Sequence, residues 1–266
     1  MIVSLMTDYG HADEFVGILH AVIARADPDA RIVDLAHDIR RHDVRHGALT
    51  LARSLPYLPN GVHVAIVDPQ VGTERRAVAL RCADGRMLVG PDNGVLSLAW
   101  ERAGGAVEAV DISRSPHRLE PVSATFHGRD MFAPVAAHLA RGSELAEAGD
   151  PLAVGELERL ELPSSRIDAG VAVGHALTID VYGNVALNLA HADLLEAGLT
   201  IGSRVTVAAD EVILDAVVAH TFADVNEGEA LVYEDAFGSV AIAINRGDAA
   251  TALSVTPDVE MRIARA

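Results

Sequence analysis

Three short segments of the chain combine carboxylate or imidazole side chains with glycine or proline. They read TDYG at residues 7–10, DPQVGT at 68–73 and TFHGRD at 125–130. Carboxylates and imidazoles accept, hold and donate protons near neutral pH, and glycine or proline beside them is typical of rigid loops that line a pocket. The alternative for each segment alone is a helix N-cap or an Asx-turn, and Asp130 is predicted to cap the helix that follows it.

The elements around these segments predict an α/β fold. Strands are predicted at residues 2–6, 31–35, 62–67 and 107–112, a hairpin at 77–89, and helices around 15–23, 44–55, 95–103 and 130–140. This alternation predicts a mostly parallel sheet with helices on both faces. Ligands bind beyond the carboxyl ends of the strands in such sheets, so we expect the polar segments to meet at one edge.

The pattern changes in the second half of the chain. Residues 142–168 mix glycine, glutamate, proline and serine without sustained periodicity, and a Pro-Ser-Ser sequence at 163–165 is a good hinge. Beyond it, short β-rich runs are separated by turns, which is typical of a smaller all-β barrel or sandwich. We therefore predict an α/β N-terminal domain at 1–160 and a β-rich C-terminal domain at 168–266.

The composition excludes some classes of partner. Lys plus Arg is 21 and Asp plus Glu is 38, so the formal charge is −17, whereas a nucleic-acid partner demands a basic face.

The N-terminus lacks a signal-peptide pattern, and no apolar run has the length of a membrane span. The single cysteine, Cys82, falls in a predicted strand and reads as a small buried hydrophobe. We expect a cytoplasmic protein that binds neither nucleic acid nor membrane.

Three histidines offer a possible metal site. His37, His42 and His46 lie close in sequence, with Asp38 and Asp43 beside them. The segment lacks a defining third-ligand motif, and the chain has no glycine-rich phosphate loop of either standard type. A metal site stays the lesser alternative, and the sequence predicts neither a metal nor a cofactor.

Six segments, in order, resemble those of one enzyme family. They are TDYGHADEFVG, VDPQVGTERR, VGPDNG, TFHGRDMFAP, IDVYGNVALN and AIAINRG, and they cover nearly the whole chain and both predicted domains. They are similar to the S-adenosyl-L-methionine (SAM) hydroxide adenosyltransferases, which are relatives of the fluorinase and chlorinase enzymes. The resemblance implies hydrolysis of SAM to adenosine and methionine, with a water attacking the ribose 5′ carbon and with no metal.

The resemblance also implies an assembly and a catalytic set. The family forms homotrimers whose active sites lie between the N-terminal domain of one subunit and the C-terminal domain of its neighbour. Its catalytic Asp, Arg and His match Asp68, Arg75 and His127. Halide-using relatives lack the histidine of TFHG, so the presence of His127 favours water over halide as the nucleophile.

The substrate-binding positions of the family can be matched in the same way. Asp8 matches the carboxylate that binds both ribose hydroxyls, and His42 falls where relatives place a ring near the ribose. Asp13 and Asp180 match the acids that hold the methionine ammonium. The adenine contacts match the side chains of Asn184 and Phe222 and the backbone at Asn245 and Arg246.

Two departures from the family pattern bear on the site. The usual VDPGVG reads VDPQVG here, and Gln70 would strain its loop if that glycine needs a positive φ. Asp235 and Ala236 replace the Asn-Ser that contacts the substrate carboxylate in many relatives. The alternatives that stay open are a SAM-dependent halogenase, a metal-dependent hydrolase and a non-catalytic module that binds SAM or adenosine.

Overall fold

A seven-stranded sheet forms the centre of the first part of the chain. The structure is a computed structural model that describes residues 1–266, and it divides into two units, Met1–Leu160 and Glu161–Ala266. The helices and strands of the first unit are β1 (Ile2–Thr7), α1 (Phe15–Ala26), β2 (Arg31–Ala36), α2 (Val44–Ser54), β3 (Gly61–Ile66), β4 (Ala77–Cys82), β5 (Met87–Pro91), α3 (Ser97–Arg102), β6 (Ala106–Asp111), α4 (Ala133–Ala140) and β7 (Asp150–Leu152).

The sheet has the strand order β2-β1-β3-β5-β4-β6-β7. β1 pairs in parallel with β2 and β3, and β3 pairs in parallel with β5. β4 and β5 form the predicted antiparallel hairpin. The expectation of a mostly parallel sheet is confirmed.

Helices cover both faces of this sheet. Leu19 of α1 and Leu139 of α4 share one buried cluster with the strand residue Leu5. Leu51 of α2 and Trp100 of α3 share a second cluster with other strand residues. Every residue of β1 and β3 is buried, as expected for mainly apolar strands that are covered on both sides.

A π-helical turn, Gly128–Phe132, leads into α4. The prediction that Asp130 caps this helix is wrong, because its carboxylate accepts no capping hydrogen bond. Asp130 is instead buried within the turn, where it accepts the Ser123 N–H at 2.7 Å and pairs with Arg129. It thus anchors the preceding loop, which carries residues 123–127.

The second unit is a β-barrel. Its elements are β8 (Arg166–Asp168), β9 (Val171–Ile179), β10 (Val185–Leu187), α5 (His191–Glu196), β11 (Arg204–Ala209), β12 (Val212–Val218), β13 (Ala230–Glu234), β14 (Val240–Ile244), α6 (Ala249–Leu253) and β15 (Glu260–Arg265). The order β10-β14-β13-β12-β11-β15-β9 closes on itself because β9 also pairs with β10, and β8 adds to β9. Of the predicted alternatives, barrel and sandwich, the barrel is the one formed. No helix in either unit has the length and hydropathy needed to span a membrane.

Candidate active site

Arg75 joins two of the predicted polar segments. Its Nε donates to Oδ1 of Asp68 at 2.9 Å and its Nη2 donates to Oδ2 of the same carboxylate. Nη2 also lies 2.9 Å from Nδ1 of His127. The side chains of Arg75 and Asp68 are only 5% and 6% exposed, and a two-point guanidinium–carboxylate pair fixes direction as well as distance. The three predicted catalytic residues therefore form one connected group.

This group sits where the sheet topology brings loops together. Asp68 follows β3, and Asp8 follows the neighbouring parallel strand β1, in which Thr7 pairs with Ile66. His127 directly precedes the π-helical turn. Because parallel strands end at the same edge, side chains just beyond them become neighbours.

The loop that carries Asp68 takes its special conformation at Gly72. Gly72 has φ +81°, and a Cβ there would lie 2.6 Å from the carbonyl oxygen of Ala124. Gln70 is not among the residues with positive φ, so the strain considered for this departure from the family pattern is absent. The position that requires glycine in this loop is 72, and position 70 accepts a side chain because its φ is not positive.

Burial and the neighbouring charge of Arg75 lower the pKa of His127 below its ordinary value of 6.5. The carboxylates of Asp68 and Asp130 act in the opposite direction and are outweighed. His127 is therefore neutral at pH 7, and its Nδ1 is free to accept a hydrogen bond from Arg75.

A backbone contact fixes Asp8. The N–H of His42 donates to Oδ2 of Asp8 at 3.0 Å, and His42 holds a left-handed φ of +63°. Few residues other than glycine adopt this conformation without cost. The resemblance had drawn attention to the ring of His42, whereas the contact formed within the chain is made by its backbone.

A chain of hydrogen bonds supports the turn that carries Asp8. The N–H of Tyr9 donates to Oγ1 of Thr7 at 3.2 Å, and that oxygen lies 2.9 Å from Nδ1 of the buried His37. Nε2 of His37 and Nε2 of His20 lie 2.9 and 2.8 Å from the same oxygen of Asp34. These contacts tie the turn to β2 and α1 and restrict its movement.

The histidines considered as a metal site are engaged separately. His37 contacts Thr7 and Asp34, while Nδ1 of His46 accepts the backbone N–H of Arg40 at 3.2 Å. No group of three or more His, Cys, Asp or Glu side chains in the chain is arranged to hold a metal ion. The three histidines considered as an alternative metal site are not brought together.

A cavity of about 380 Å³ opens beside the connected group. Its walls include Asp8, Asp13, His42, Asp68 and His127, so the first unit brings together five predicted site residues. Arg41 also lines the cavity and Asp68 is paired with Arg75, which leaves the carboxylates of Asp8 and Asp13 suited to bind hydroxyl groups or positive charge on a ligand.

The cavity also has an aromatic part whose residues were not among the predicted site residues. Tyr9 and Phe15 line it, and together with Phe126 they form a cluster with ring centroids 5.2 to 5.9 Å apart. The sequence indicated them only by a tyrosine in the first polar segment, at position 9, and a phenylalanine shortly after that segment, at position 15. Aromatic residues next to a strand more often belong to the hydrophobic core, so residue type alone did not predict that these two line a cavity.

The remaining predicted residues lie on loops of the second unit. The carboxylate of Asp180 accepts from the backbone N–H and the side-chain amide of Asn184 at 2.9 and 2.8 Å. Phe222 is 37% exposed and its ring packs at 5.2 Å from that of Tyr233. Burial and the carboxylates of Asp180 and Asp235 raise the pKa of Tyr233, so these two carboxylates and Phe222 lie near the same ring.

Two neighbouring residues follow β14 at positions 245 and 246. The amide of Asn245 donates to the carbonyl of Val225 at 2.9 Å. Arg246 has a left-handed φ of +57°, and its side chain pairs with Glu227. The backbone N–H of Asn245 also donates to the carbonyl of Glu229, and its carbonyl accepts from the N–H of Gly228, so both the side chain and the backbone of Asn245 hold this loop.

Comparison with known proteins gives matches in both units. A family model described as the SAM hydroxide adenosyltransferase N-terminal domain matches residues 3–149. A second, described as the SAM hydroxide adenosyltransferase C-terminal domain, matches residues 174–262. Together these matches account for most of the chain.

Individual relatives agree with the family matches. The chain is 48% identical to the (R)-S-adenosyl-L-methionine hydrolase of Salinispora tropica, over 98% of this chain and 97% of the relative. It is 28% identical to a fluorinase of Nocardia brasiliensis, over 98% and 96%. A crystal structure of an uncharacterized conserved protein from Thermotoga maritima superposes with a TM-score of 0.93 at 36% identity, with full coverage of both chains.

Proposed function

Because the chain belongs to the SAM hydroxide adenosyltransferase family, we propose that it hydrolyses S-adenosyl-L-methionine to adenosine and L-methionine. The observation that carries this proposal is the connected group of Asp68, Arg75 and His127 beside a cavity lined with carboxylates. The reaction is a displacement at the ribose 5′ carbon. The sulfonium is a good leaving group, since methionine departs neutral at sulfur.

The nucleophile is the difficult part of this reaction. Bulk water has a pKa near 15.7, so a free hydroxide at neutral pH costs roughly 12 kcal/mol, at about 1.36 kcal/mol per pKa unit. An enzyme without a metal must lower this cost by taking the proton as the carbon–oxygen bond forms. A carboxylate held beside the water can do so.

Asp68 is the group proposed to take the water proton. Arg75 stays charged and cannot act as a base, but it holds the carboxylate in place and offsets negative charge that builds near it. Attack of an electron-rich oxygen on a cationic substrate also neutralises charge, which is favourable in a dry site. In-line alignment of water, carbon and sulfur supplies much of the remaining acceleration.

The substrate is proposed to use both units. Asp8 binds the ribose hydroxyls and the ring of His42 lies near the ribose, while Asp13 and Asp180 hold the ammonium. Adenine is bound by residues of the barrel: Asn184, Phe222 and the backbone at Asn245 and Arg246. We further propose a homotrimer in which each site combines the first unit of one subunit with the barrel of its neighbour.

Mixing two inactive variants tests this assembly. Asp68→Asn disables the first unit and Asp180→Ala disables the barrel, so neither homotrimer should turn over SAM. If sites lie between subunits, random re-assembly of equal amounts of the two variants makes mixed trimers. In these, about a quarter of the sites combine an unaltered first unit with an unaltered barrel, and activity returns. Sites built within one chain would give no recovery, and light scattering would report the oligomeric state.

The alternatives make different products or need different conditions. A halogenase would form 5′-chloro-5′-deoxyadenosine, a metal-dependent hydrolase would lose activity with a chelator, and a binding module would leave SAM intact.

A location in the cytoplasm is also proposed, where the lone buried thiol of Cys82 matches a reducing compartment.

Incubation with SAM in oxygen-18 water, with and without chloride and with and without a chelator, tests the proposed function. Adenosine labelled at the 5′ oxygen, at equal rates in all conditions, is the expected result. Unlabelled adenosine would contradict attack by water at carbon 5′. A chlorinated nucleoside, chelator-sensitive turnover or intact SAM would each replace the proposal by the corresponding alternative.

A further inference from the structure

The hydroxyl group of Tyr9 lies against Gly128, at the wall of the cavity beside the connected group. The residue lines the cavity together with Asp68 and Gly128. A Cβ added at Gly128 would lie 2.6 Å from the phenol oxygen of Tyr9. Because no real Cβ sits that close to an oxygen, the absence of a side chain at Gly128 creates the space that the hydroxyl occupies.

The ring of Tyr9 is held on two sides. Its centroid lies 5.7 Å from that of Phe15, in a tilted arrangement, and 5.9 Å from that of Phe126, edge to face. Phe15 and Phe126 also contact each other edge to face at 5.2 Å. Such aromatic contacts fix the orientation of a ring, so the hydroxyl has a defined position.

The hydroxyl has hydrogen-bonding capacity to spare. Tyr9 donates its backbone N–H to Thr7, but its hydroxyl forms no hydrogen bond within the chain. Burial, with the nearby carboxylates of Asp8 and Asp68, raises the pKa of Tyr9 above its ordinary value of 10, while Arg75 has a smaller opposing effect. The phenol therefore keeps its proton at neutral pH.

We propose that Tyr9 is a further catalytic residue, whose hydroxyl hydrogen bonds to the attacking water and holds it between Asp68 and the 5′ carbon. This inference rests on the proposed hydrolysis of SAM. One proton of the water passes to Asp68, and the second is held by the phenol oxygen and stays on the product hydroxyl. The carbon–oxygen bond forms as the carbon–sulfur bond breaks, and the electron pair of that bond leaves with methionine.

Tyr9→Phe tests the role of the hydroxyl while keeping the ring contacts. We expect kcat to fall about 10- to 100-fold, since a misoriented water loses alignment, with KM for SAM and the Kd for adenosine changed less than about threefold. Tyr57→Phe is the matched control, because Tyr57 is 73% exposed, and it should leave kcat unchanged.

Three results would overturn the inference. They are a Tyr9→Phe enzyme with the kcat of the parent, one that changes only KM, and one whose adenosine affinity falls along with kcat. A parent enzyme that does not hydrolyse SAM would instead refute the proposed function, which keeps the two failures apart.

Gly128→Ala provides an independent test of the same geometry. In the parent chain the new methyl meets the phenol oxygen, whereas its other close contacts are the ends of Ile66 and Leu19, at 3.3 and 3.4 Å, which can shift. We expect Gly128→Ala to reduce kcat at least fivefold in the parent and less than twofold in the Tyr9→Phe background. Equal fold-losses in both backgrounds would show that the hydroxyl and the glycine do not share this space, and the inference would fail.

Discussion

Nη2 of Arg75 lies 2.9 Å from Nδ1 of His127, and only one tautomer of the neutral ring is compatible with that contact. A guanidinium donates hydrogen bonds and accepts none, so Nδ1 is the unprotonated nitrogen and Nε2 carries the proton. His127 lines the cavity, and its Nε2, which Arg75 does not contact, is a hydrogen-bond donor. The ring can thus donate a hydrogen bond to the oxygen of the nucleophile, which is compatible with the proposal that Asp68 is the base.

Removing the charge of Arg75 is expected to raise the pKa of His127. Arg75 and burial lower this pKa, whereas Asp68 raises it, so Arg75→Met leaves an unpaired carboxylate beside the ring. NMR titration of the ring protons of His127 measures the change. Arg102→Met, at the exposed end of α3, should leave the titration unaltered. A His127 pKa no higher in Arg75→Met than in the parent would contradict the assigned electrostatics.

Asp68→Asn is expected to reduce kcat by about 100-fold or more, because an amide keeps the shape of the carboxylate but cannot take a proton. Steady-state kinetics with SAM measures the loss. Asp84→Asn is the matched control, since Asp84 also pairs with an arginine, Arg86, but in the turn of the β4–β5 hairpin. Full turnover by the Asp68→Asn enzyme would remove Asp68 as the base.

The sheet could be predicted from sequence because its signals are local. β1 and β3 are mainly apolar runs, and the β4–β5 hairpin turns at an Asp-Gly pair. The barrel was only partly predicted: β10 has three residues, and β15 interleaves apolar residues with charged ones. Such strands are specified by pairing with distant neighbours, which no window of sequence contains.

The candidate site, like the fold, could be predicted only where the sequence signal is local. Convergence of Asp8 and Asp68 follows from parallel strands that end at one edge, and was predicted. The contact of Tyr9 with Gly128 joins positions far apart in sequence, and a histidine at position 42 is too weak a signal to predict its left-handed φ. Asp130 was misread because its partner, Ser123, precedes it by seven residues, whereas capping rules consider the residues that follow.

The backbone and the ring of His42 can be separated by substitution. His42→Gly keeps the N–H that donates to Asp8 and removes the cost of a left-handed φ, so we expect the free energy of unfolding to rise by about 0.5–1 kcal/mol. His42→Ala removes the ring but keeps the strain. Because the ring is proposed to lie near the ribose, we expect KM for SAM to rise by more than about threefold in both variants. A KM that stays within about threefold of the parent in both would show that only the backbone contact with Asp8 matters.

His63 is expected to make the fold sensitive to mild acid. The residue is buried in β3, with Nδ1 lying 2.9 Å from Oγ of Ser4 and Nε2 without a partner. Burial, helped by the charge of Arg86, lowers the pKa of His63 to about 4. Between pH 6.5 and 4 the unfolded chain binds a proton at this position that the folded chain does not bind, so stability falls as the pH falls.

The expected loss attributable to His63 is about 2 kcal/mol between pH 7 and pH 5, at about 1.36 kcal/mol per unit below 6.5. Urea unfolding at both pH values measures it. His63→Gln cannot titrate at this position. Between pH 7 and pH 5 its loss of unfolding free energy should therefore be smaller than the loss in the parent by about 2 kcal/mol. His220→Gln, at an exposed position, should retain the parent's pH dependence. Equal losses in the His63→Gln variant and the parent would mean that the folded chain accommodates a charged His63, because the neutral buried ring is the only source of this difference.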